Sequence, residues 1–160
     1  MEYKIGIGYD IHRLVKGRKL FLGGIAVPYH KGLLGHSDAD VLIHALADAL
    51  LGAAGLGDIG EHFPDTDKRY KGLSGKDLLA EVQAMIARKK FSVINIDLIL
   101  IAEEPKILPL RKKIQQNLSR MLKIDAKAVS LKGKTQEKLG EIGQKKAIAA
   151  FAIALLAKRR

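Results

Sequence analysis

Imidazoles and carboxylates at short spacings are the part of this sequence most able to do chemistry. Asp10 and His12 stand two apart in YKIGIGYDIH, and His36, Ser37, Asp38, Asp40 and His44 crowd into GHSDADVLIH. A carboxylate and two imidazoles are suitable ligands for Zn2+, and three protein ligands leave the fourth tetrahedral position for water or substrate. Asp10, His12 and His44 form such a set if the elements carrying them pack side by side. Asp48, four residues beyond His44, would lie on the same helix face and reach back to orient that imidazole. The same spacing suits a surface Asp-x-His pair and a histidine at the edge of a core, so spacing alone leaves these readings open. With no cysteine in the chain, thiolate ligands and disulfides are excluded.

The elements that must position these residues are legible from periodicity. Tyr3 to His12 reads as a strand, with Ile5, Ile7, Tyr9 and Ile11 alternating with Gly6, Gly8, Asp10 and His12. That places Asp10 and His12 on one face, opposite the isoleucines. Gly6 and Gly8 do not open a dinucleotide fingerprint, because they lie inside the strand and Ile11 occupies the third glycine position. Ser37 with Asp40 makes a capping-box pattern for a helix in which Val41, Leu42, Ala45, Leu46, Ala49 and Leu50 form one apolar stripe. His44 would then sit in its second turn.

Further along, LFLGGIAVP predicts a hairpin turning at Gly23-Gly24, and EHFPDTDKRYKG predicts a polar, acidic loop. Ser74 caps a second helix, with Asp77 at the capping-box position. Phe91 to Glu103 is a near-continuous β-branched strand, Leu110 to Leu122 a third amphipathic helix, and Val129 to Thr135 another strand. The final AIAAFAIALLAK is ambiguous, since its alanines favour a helix and its Phe, Ile and Leu spacing allows a strand. This order of elements predicts an α+β fold, an α/β sandwich with one sheet and helices packed on it. At 160 residues without a repeat or linker, one domain spanning residues 1–160 is expected.

Apolar residues at 48% fit a globular chain. No apolar run is long enough for a membrane span, and the first residues lack the zones of a signal peptide, so cytoplasm is the expected compartment. Lys and Arg exceed Asp and Glu by 28 − 17 = 11, a balance suited to nucleic acid, an anionic membrane or a phosphorylated substrate. Aromatics are only 5% and do not interleave with the basic runs, so no stacking platform for nucleic acid is visible. The runs Arg88-Lys89-Lys90, Arg111-Lys112-Lys113 and Lys158-Arg159-Arg160 fall at helix ends or the C-terminus and read as solvated faces.

YDIH, GHSDADVLIHALADALLGAAGLGDIG, FPDTD, AEEPKIL and KTQEKLG occur in this order and spacing. Together they closely resemble the 2-C-methyl-D-erythritol 2,4-cyclodiphosphate synthase family, the cyclising enzymes of the non-mevalonate (MEP) isoprenoid pathway, over essentially the whole chain. The resemblance implies a homotrimer whose sheets face a central core, with helices outside and active sites between subunits. It also implies that the ambiguous tail is a strand lining that core. The implied activity is that of a phosphorus–oxygen lyase. It converts 4-diphosphocytidyl-2-C-methyl-D-erythritol 2-phosphate to the 2,4-cyclodiphosphate and releases CMP, with partners limited to that substrate and to copies of itself, without nucleic acid or membrane.

Carried over by the same resemblance, Asp10, His12 and His44 are the zinc ligands, and Glu137 is the protein ligand of a second divalent cation, Mg2+ or Mn2+. His36 and Thr135 match the transition-state stabilisers, and Ser37 lies beside His36. Asp58, Ile59 and Gly60, with Phe63, Pro64, Asp65, Thr66 and Asp67, match the methylerythritol contacts, and Asp10, Ile11 and His12 line the same region. Ala102, Glu103, Glu104, Pro105, Lys106, Ile107 and Leu108 match a cytidine pocket supplied by a neighbouring subunit, with Lys106 as a phosphate partner. Lys134, Thr135, Gln136 and Glu137, with Glu141 and Gln144, complete the implied substrate contacts. His30 and His62 match nothing functional and are expected at the surface.

The sequence departs from the family pattern after KTQEKLG. Glu141, Ile142, Gly143, Gln144, Lys145 and Lys146 stand where an aromatic and then G-R-G-E-G are usual, and Lys134 replaces a threonine. Glutamine lacks the bidentate fork of the arginine it replaces at position 144, while Lys134 restores a positive charge. Two rivals accompany the enzyme reading: a weakened family member that keeps fold and zinc, supported by these departures, and, from the basic balance of the chain, a nucleic-acid-binding protein whose affinity would fall steeply with salt.

Overall fold

Glycine, not isoleucine, faces the interior along the first strand, and the rest of the fold follows from that choice. The computed structural model describes residues 1–158. Strand β1 (Glu2–Lys16) is longer than the segment expected from its alternation. Its Gly6, Gly8, Asp10 and His12 turn toward the helices, while Ile5 and Ile7 are 73% and 67% exposed on the far side.

The reason is the close seating of helix α1 (Val41–Ala53) on the sheet. A Cβ at Gly8 would fall 1.8 Å from the Ala45 carbonyl oxygen, and one at Gly6 would fall 2.0 Å from that of Ala49. The partner strand answers in kind. β7 (Ala147–Lys158) pairs antiparallel with β1 so that Ala154 lies opposite Gly6, Ala152 opposite Gly8 and Ala150 opposite Asp10. The alanine-rich tail is thus a strand, and a central one.

Hairpin strands β2 (Leu20–Leu22) and β3 (Ile25–Val27) turn at Gly23-Gly24 as expected and form their own two-stranded sheet. The main sheet adds β4 (Lys31–Leu33), β5 (Phe91–Ile101) and β6 (Val129–Lys134), in the order β4-β1-β7-β5-β6. Only β5 and β6 run parallel, so the sheet is mixed. Among the helices, α2 (Ile59–His62) is a single short turn. Helices α3 (Gly75–Arg88) and α4 (Arg111–Leu122) join α1 on the face that carries Leu98, Leu100, Leu131 and Ala152. The opposite face leaves Tyr3, Ile5, Ile7, Tyr9, Ile11, Phe151 and Ile153 exposed. The α+β class, a main sheet with helices on it, agrees with the reading from the order of elements, and the placing of the helices on one face agrees with what the resemblance implies.

Three local expectations need correction. Ser37 does not cap α1: Ala39 takes a left-handed φ of 55°, which interrupts any helical path, and Asp40 caps instead by accepting from the Ile43 amide at 3.2 Å. His44 therefore lies in the first turn, not the second. Nor does α1 carry one apolar stripe, since sheet, hairpin and α3 enclose it and eleven of its residues are buried. Asp40 is itself fully buried and also accepts from the Gly23 and Gly24 amides at 2.9 and 2.6 Å, which ties the hairpin turn to the helix start. Burial pushes its pKa up, against the three amides that favour the ionised form.

The acidic loop contains more structure than its composition suggested, namely α2 and a 3-10 turn at Lys68–Tyr70. A short helix α5 (Gly140–Gly143) also precedes β7. Ser74 caps α3 as expected, accepting from the Asp77 amide. Arg88 to Lys90 and Arg111 to Lys113 are exposed at helix ends, and Lys158 ends β7. Arg159 and Arg160 of the third basic run lie outside the described residues. No helix of the described residues is long and apolar enough to cross a membrane.

Candidate active site

Asp10 and His12 project from β1 toward the first turn of α1, where His44 meets them. His12 Nε2 stands 2.8 Å from Asp10 Oδ2. His44 Nδ1 stands 3.1 Å from that oxygen and 3.1 Å from His12 Nε2. Three potential ligand atoms thus form a triangle with edges of 2.8 to 3.1 Å. The edge of a tetrahedron of ligands about 2.0 Å from an ion is roughly 3.3 Å. The triangle is slightly tight and otherwise of the right size for a small divalent cation.

The outer hydrogen bonds point the same way. His12 Nδ1 donates to the Leu34 carbonyl at 2.8 Å, which leaves the Nε2 lone pair facing the triangle. His44 Nε2 lies 3.3 Å from Ser37 Oγ, an oxygen that already accepts from the Ala39 amide. With Nε2–H directed at Ser37, the Nδ1 lone pair also faces inward. Three acceptors converging without a donor require a proton or a cation between them. Without a metal, a proton serves. Burial alone would raise Asp10, but hydrogen bonds to His12 and His44 outweigh it and bring the carboxyl down to about 2. Burial likewise opposes the charged His12, and Asp10 overcomes it, raising the imidazole pKa.

The triad closes one end of a cavity of about 590 Å3. His36 and Ser37 line it, as do Ile59, Gly60 and the whole Phe63–Asp67 loop. Most of the residues expected to contact a polyol phosphate therefore share one space with the triad. Asp58 is not among the lining residues; it is exposed and caps α2 by accepting from the Glu61 amide at 3.0 Å. Ile11 points to the far face of the sheet. Asp48 does not hold His44. Its Oδ1 accepts from the Ile59 amide at 2.8 Å, because α2 folds back over α1 and brings that amide closer than the imidazole. Asp48 thereby fixes the Ile59-Gly60 wall of the cavity.

The remaining expected residues gather elsewhere. A second cavity of about 170 Å3 is lined by Ala102, Pro105, Lys106, Ile107 and Leu108, with Lys134 and Thr135 from the end of β6. The two cavities share no residue in this chain. Glu103 braces the second one by accepting from the Gln136 and Lys138 amides at 2.9 and 3.1 Å. Glu104 pairs with Lys145 at 2.5 Å and accepts from Tyr29 at 3.3 Å. Glu137, at a left-handed φ of 53°, accepts from Thr135 Oγ1 at 2.8 Å and does not join the triad. Glu141 pairs loosely with Lys146 at 3.6 Å, and Gln144 ends α5 with its side chain exposed. His30 is exposed as expected, but His62 is half-buried and bonded through Nε2 to the Leu56 carbonyl at 2.6 Å. Lys68, Tyr70, Lys71, Leu73 and Leu78 also line the first cavity and were not anticipated. Only the spacing of Lys68 and Lys71 just after FPDTD offered a signal for them.

A mixed sheet with helices on one face, carrying a carboxylate and two imidazoles that could hold a metal ion beside a cavity, defines an α+β class with a candidate metal site. The profile of the YgbB family matches residues 3–157. The 2-C-methyl-D-erythritol 2,4-cyclodiphosphate synthase of Desulforamulus reducens is 53% identical over 153 residues, 96% of this chain and 98% of that protein. Among solved structures, the bifunctional IspDF of Campylobacter jejuni superposes with a TM-score of 0.94 at 39% identity, covering 99% of this chain and 43% of that one. The Plasmodium falciparum IspF in complex with CDP gives 0.86 at 40% identity, covering 99% and 97%. The chain belongs to the YgbB family, the 2-C-methyl-D-erythritol 2,4-cyclodiphosphate synthases.

Proposed function

We propose that this chain, acting as one domain over residues 1–160, converts 4-diphosphocytidyl-2-C-methyl-D-erythritol 2-phosphate to 2-C-methyl-D-erythritol 2,4-cyclodiphosphate and CMP. The observation that carries the reading is the Asp10, His12 and His44 triangle at the end of the 590 Å3 cavity, in a chain of this family. Zn2+ held by that triangle, with Mg2+ or Mn2+ held through Glu137, would supply Lewis-acid neutralisation of the diphosphate.

The reaction moves one phosphoryl group within one molecule. A 2-phosphate oxygen bonds to the β-phosphorus, the bond from that phosphorus to the α–β bridging oxygen breaks, and CMP departs with that oxygen. Such transfers ask a protein chiefly for alignment and charge. Ile59, Gly60 and the Phe63–Asp67 loop hold the methylerythritol, with Asp65 offering a carboxylate to its hydroxyls and Asp58 capping the turn behind them. His36 and Ser37 lie beside the reacting phosphates, and Thr135 approaches them from the other cavity. Ala102 to Leu108 receive the cytosine and ribose, with Lys106 and Lys134 toward the diphosphate. The CDP complex of the Plasmodium relative supports a cytidine nucleotide in this role.

The two cavities lie apart in one chain, which supports a site completed between subunits. A homotrimer meeting through Ile5, Ile7, Tyr9, Phe151 and Ile153 would cover that exposed apolar face. A cytoplasmic location accords with this reading. The test is CMP release from the cytidine-diphosphate substrate with Zn2+ and Mg2+, comparing wild type with His44→Ala. Equal CMP and cyclodiphosphate in wild type, lost together with zinc in the variant, is expected. Stoichiometric zinc without turnover in wild type would instead favour the weakened member, with Lys134 and Gln144 as its cause.

A further inference from the structure

Two cations on the cavity wall have no part in the site as described so far. Lys68 and Lys71 both line the large cavity. They begin and follow the 3-10 turn Lys68–Tyr70, whose end is marked by the Lys71 amide bonding to the Lys68 carbonyl at 3.3 Å. Lys68 opens the turn and Lys71 follows it in an extended conformation, and both residues border the same cavity. The Gly72 amide then bonds to the His36 carbonyl at 3.0 Å, which fixes Lys71 next to the segment that carries His36 and Ser37.

The acidic neighbours do not neutralise this pair. Asp67 is engaged by Arg69, through Nε at 2.9 Å and a terminal guanidinium nitrogen at 2.6 Å. Asp65 lines the cavity but forms no ion pair among the described residues, and neither do Lys68 and Lys71. Two like charges three residues apart on one cavity wall repel, and a multivalent anion between them removes the penalty.

We propose that Lys68 and Lys71 form a phosphomonoester site that holds the attacking phosphate of the substrate against the His36 segment. The proposal rests on the functional reading above, in which the diphosphate lies at the triad and leaves the second phosphate at the loop side of the cavity. The lysines are binding and positioning groups, and the chemistry of the transfer is unchanged by them.

The test uses the full chain loaded with Zn2+ and Mg2+, with Lys68→Ala, Lys71→Ala, the double variant and Lys71→Arg. CMP release is followed beside inhibition by CMP, bound zinc and the thermal midpoint. A charge-assisted contact is worth about a tenfold change or more, so kcat/KM should fall roughly tenfold in each alanine variant and about a hundredfold in the double. Lys71→Arg should retain most of the activity, and CMP inhibition, zinc and midpoint should not move. A double variant within twofold of wild type overturns the proposal, as does loss of zinc and CMP binding in the alanine variants, which would make the lysines structural. If wild type releases no CMP, the functional reading fails, and inorganic phosphate titrated calorimetrically into zinc-loaded protein judges the lysines separately. Phosphate binding lost in the double variant supports the site, and equal binding refutes it.

Discussion

Replacing Gly8 with alanine adds one methyl group at the point where β1 meets α1, and the effect on metal binding follows from distances. The new Cβ would stand 1.8 Å from the Ala45 carbonyl oxygen and 2.8 Å from the Ala49 amide nitrogen. Ordinary contact begins near 3.4 Å, so strand and helix must separate by 3.4 − 1.8 = 1.6 Å there. Both obstructing atoms are backbone, so no side-chain rotation relieves the clash. Overpacking of this kind costs at the upper end of the usual range, about 3 kcal/mol, or about 6 to 12 °C in midpoint for a chain of this size. The same displacement separates Asp10 and His12, two residues and four residues along β1, from His44, one residue before Ala45. Metal sites tolerate about 0.2 Å of error, so zinc affinity should fall about a hundredfold or more. The assay is chelator competition for zinc beside thermal and urea unfolding, with Gly52→Ala as control. Gly52 lies on the exposed side of α1 with nothing within 4 Å of a new Cβ, and that change should stabilise by about 0.5 to 1 kcal/mol. A Gly8→Ala protein with wild-type midpoint and stoichiometric zinc would refute the reasoning.

Asp40→Ala strands the Gly23, Gly24 and Ile43 amides and should cost about 3 kcal/mol in urea unfolding, with Asp40→Asn recovering part of it; a loss below about 1 kcal/mol would contradict the clamp. The pH response should reverse with metal. Asp10 is lowered from 3.8 to about 2, so its contribution is present above 3.8 and lost as pH falls through about 2; His12 is raised above 6.5, so its contribution is present below 6.5 and lost as pH rises through the higher value. Metal-free protein should therefore lose midpoint from pH 6 to 8, while zinc-loaded protein gains it because protons compete with the ion. Parallel curves with and without chelator would count against this. Phe151→Lys places a charge on the exposed apolar face beside Tyr9, whose ring centroid lies 4.8 Å away; sedimentation should show monomer for the variant and trimer for wild type, and an unchanged trimer would refute that interface.

Much of the site was legible because its ligands sit on strongly periodic elements. Alternation along β1 was enough to put Asp10 and His12 together, and FPDTD with its turn residues placed a loop at the cavity. The start of α1 was misread because Ser37 and Asp40 are both good caps, and only the left-handed turn at Ala39 decides between them. Asp48 was misassigned because helical spacing reports who shares a face, not which outside amide arrives first. The tail was ambiguous because alanine's helical preference says nothing about its neighbours, and here pairing with β1 and β5 along its whole length overrides it. Lys68 and Lys71 were overlooked because a 3-10 turn inside a polar loop leaves no periodic trace.

The seam between β1, β7 and α1 is made of residues that have almost nothing left to lose. Gly6 faces Ala154, Gly8 faces Ala152, and Ala45 and Ala49 close over them. Most cores drift by exchanging volume, one side chain shrinking as another grows. Here the alanines can give up only a methyl group and the nearest obstructing atoms are backbone, so no neighbouring side-chain change can make room for an enlargement. The two sides of the candidate metal site are thus joined by a seam with almost no room to vary, and every enlargement within it is harmful. Sequence change in this protein should accumulate in the hairpin, in α3 and α4 and along the outer loops, and leave this narrow strip as a fixed point around which the rest diverges.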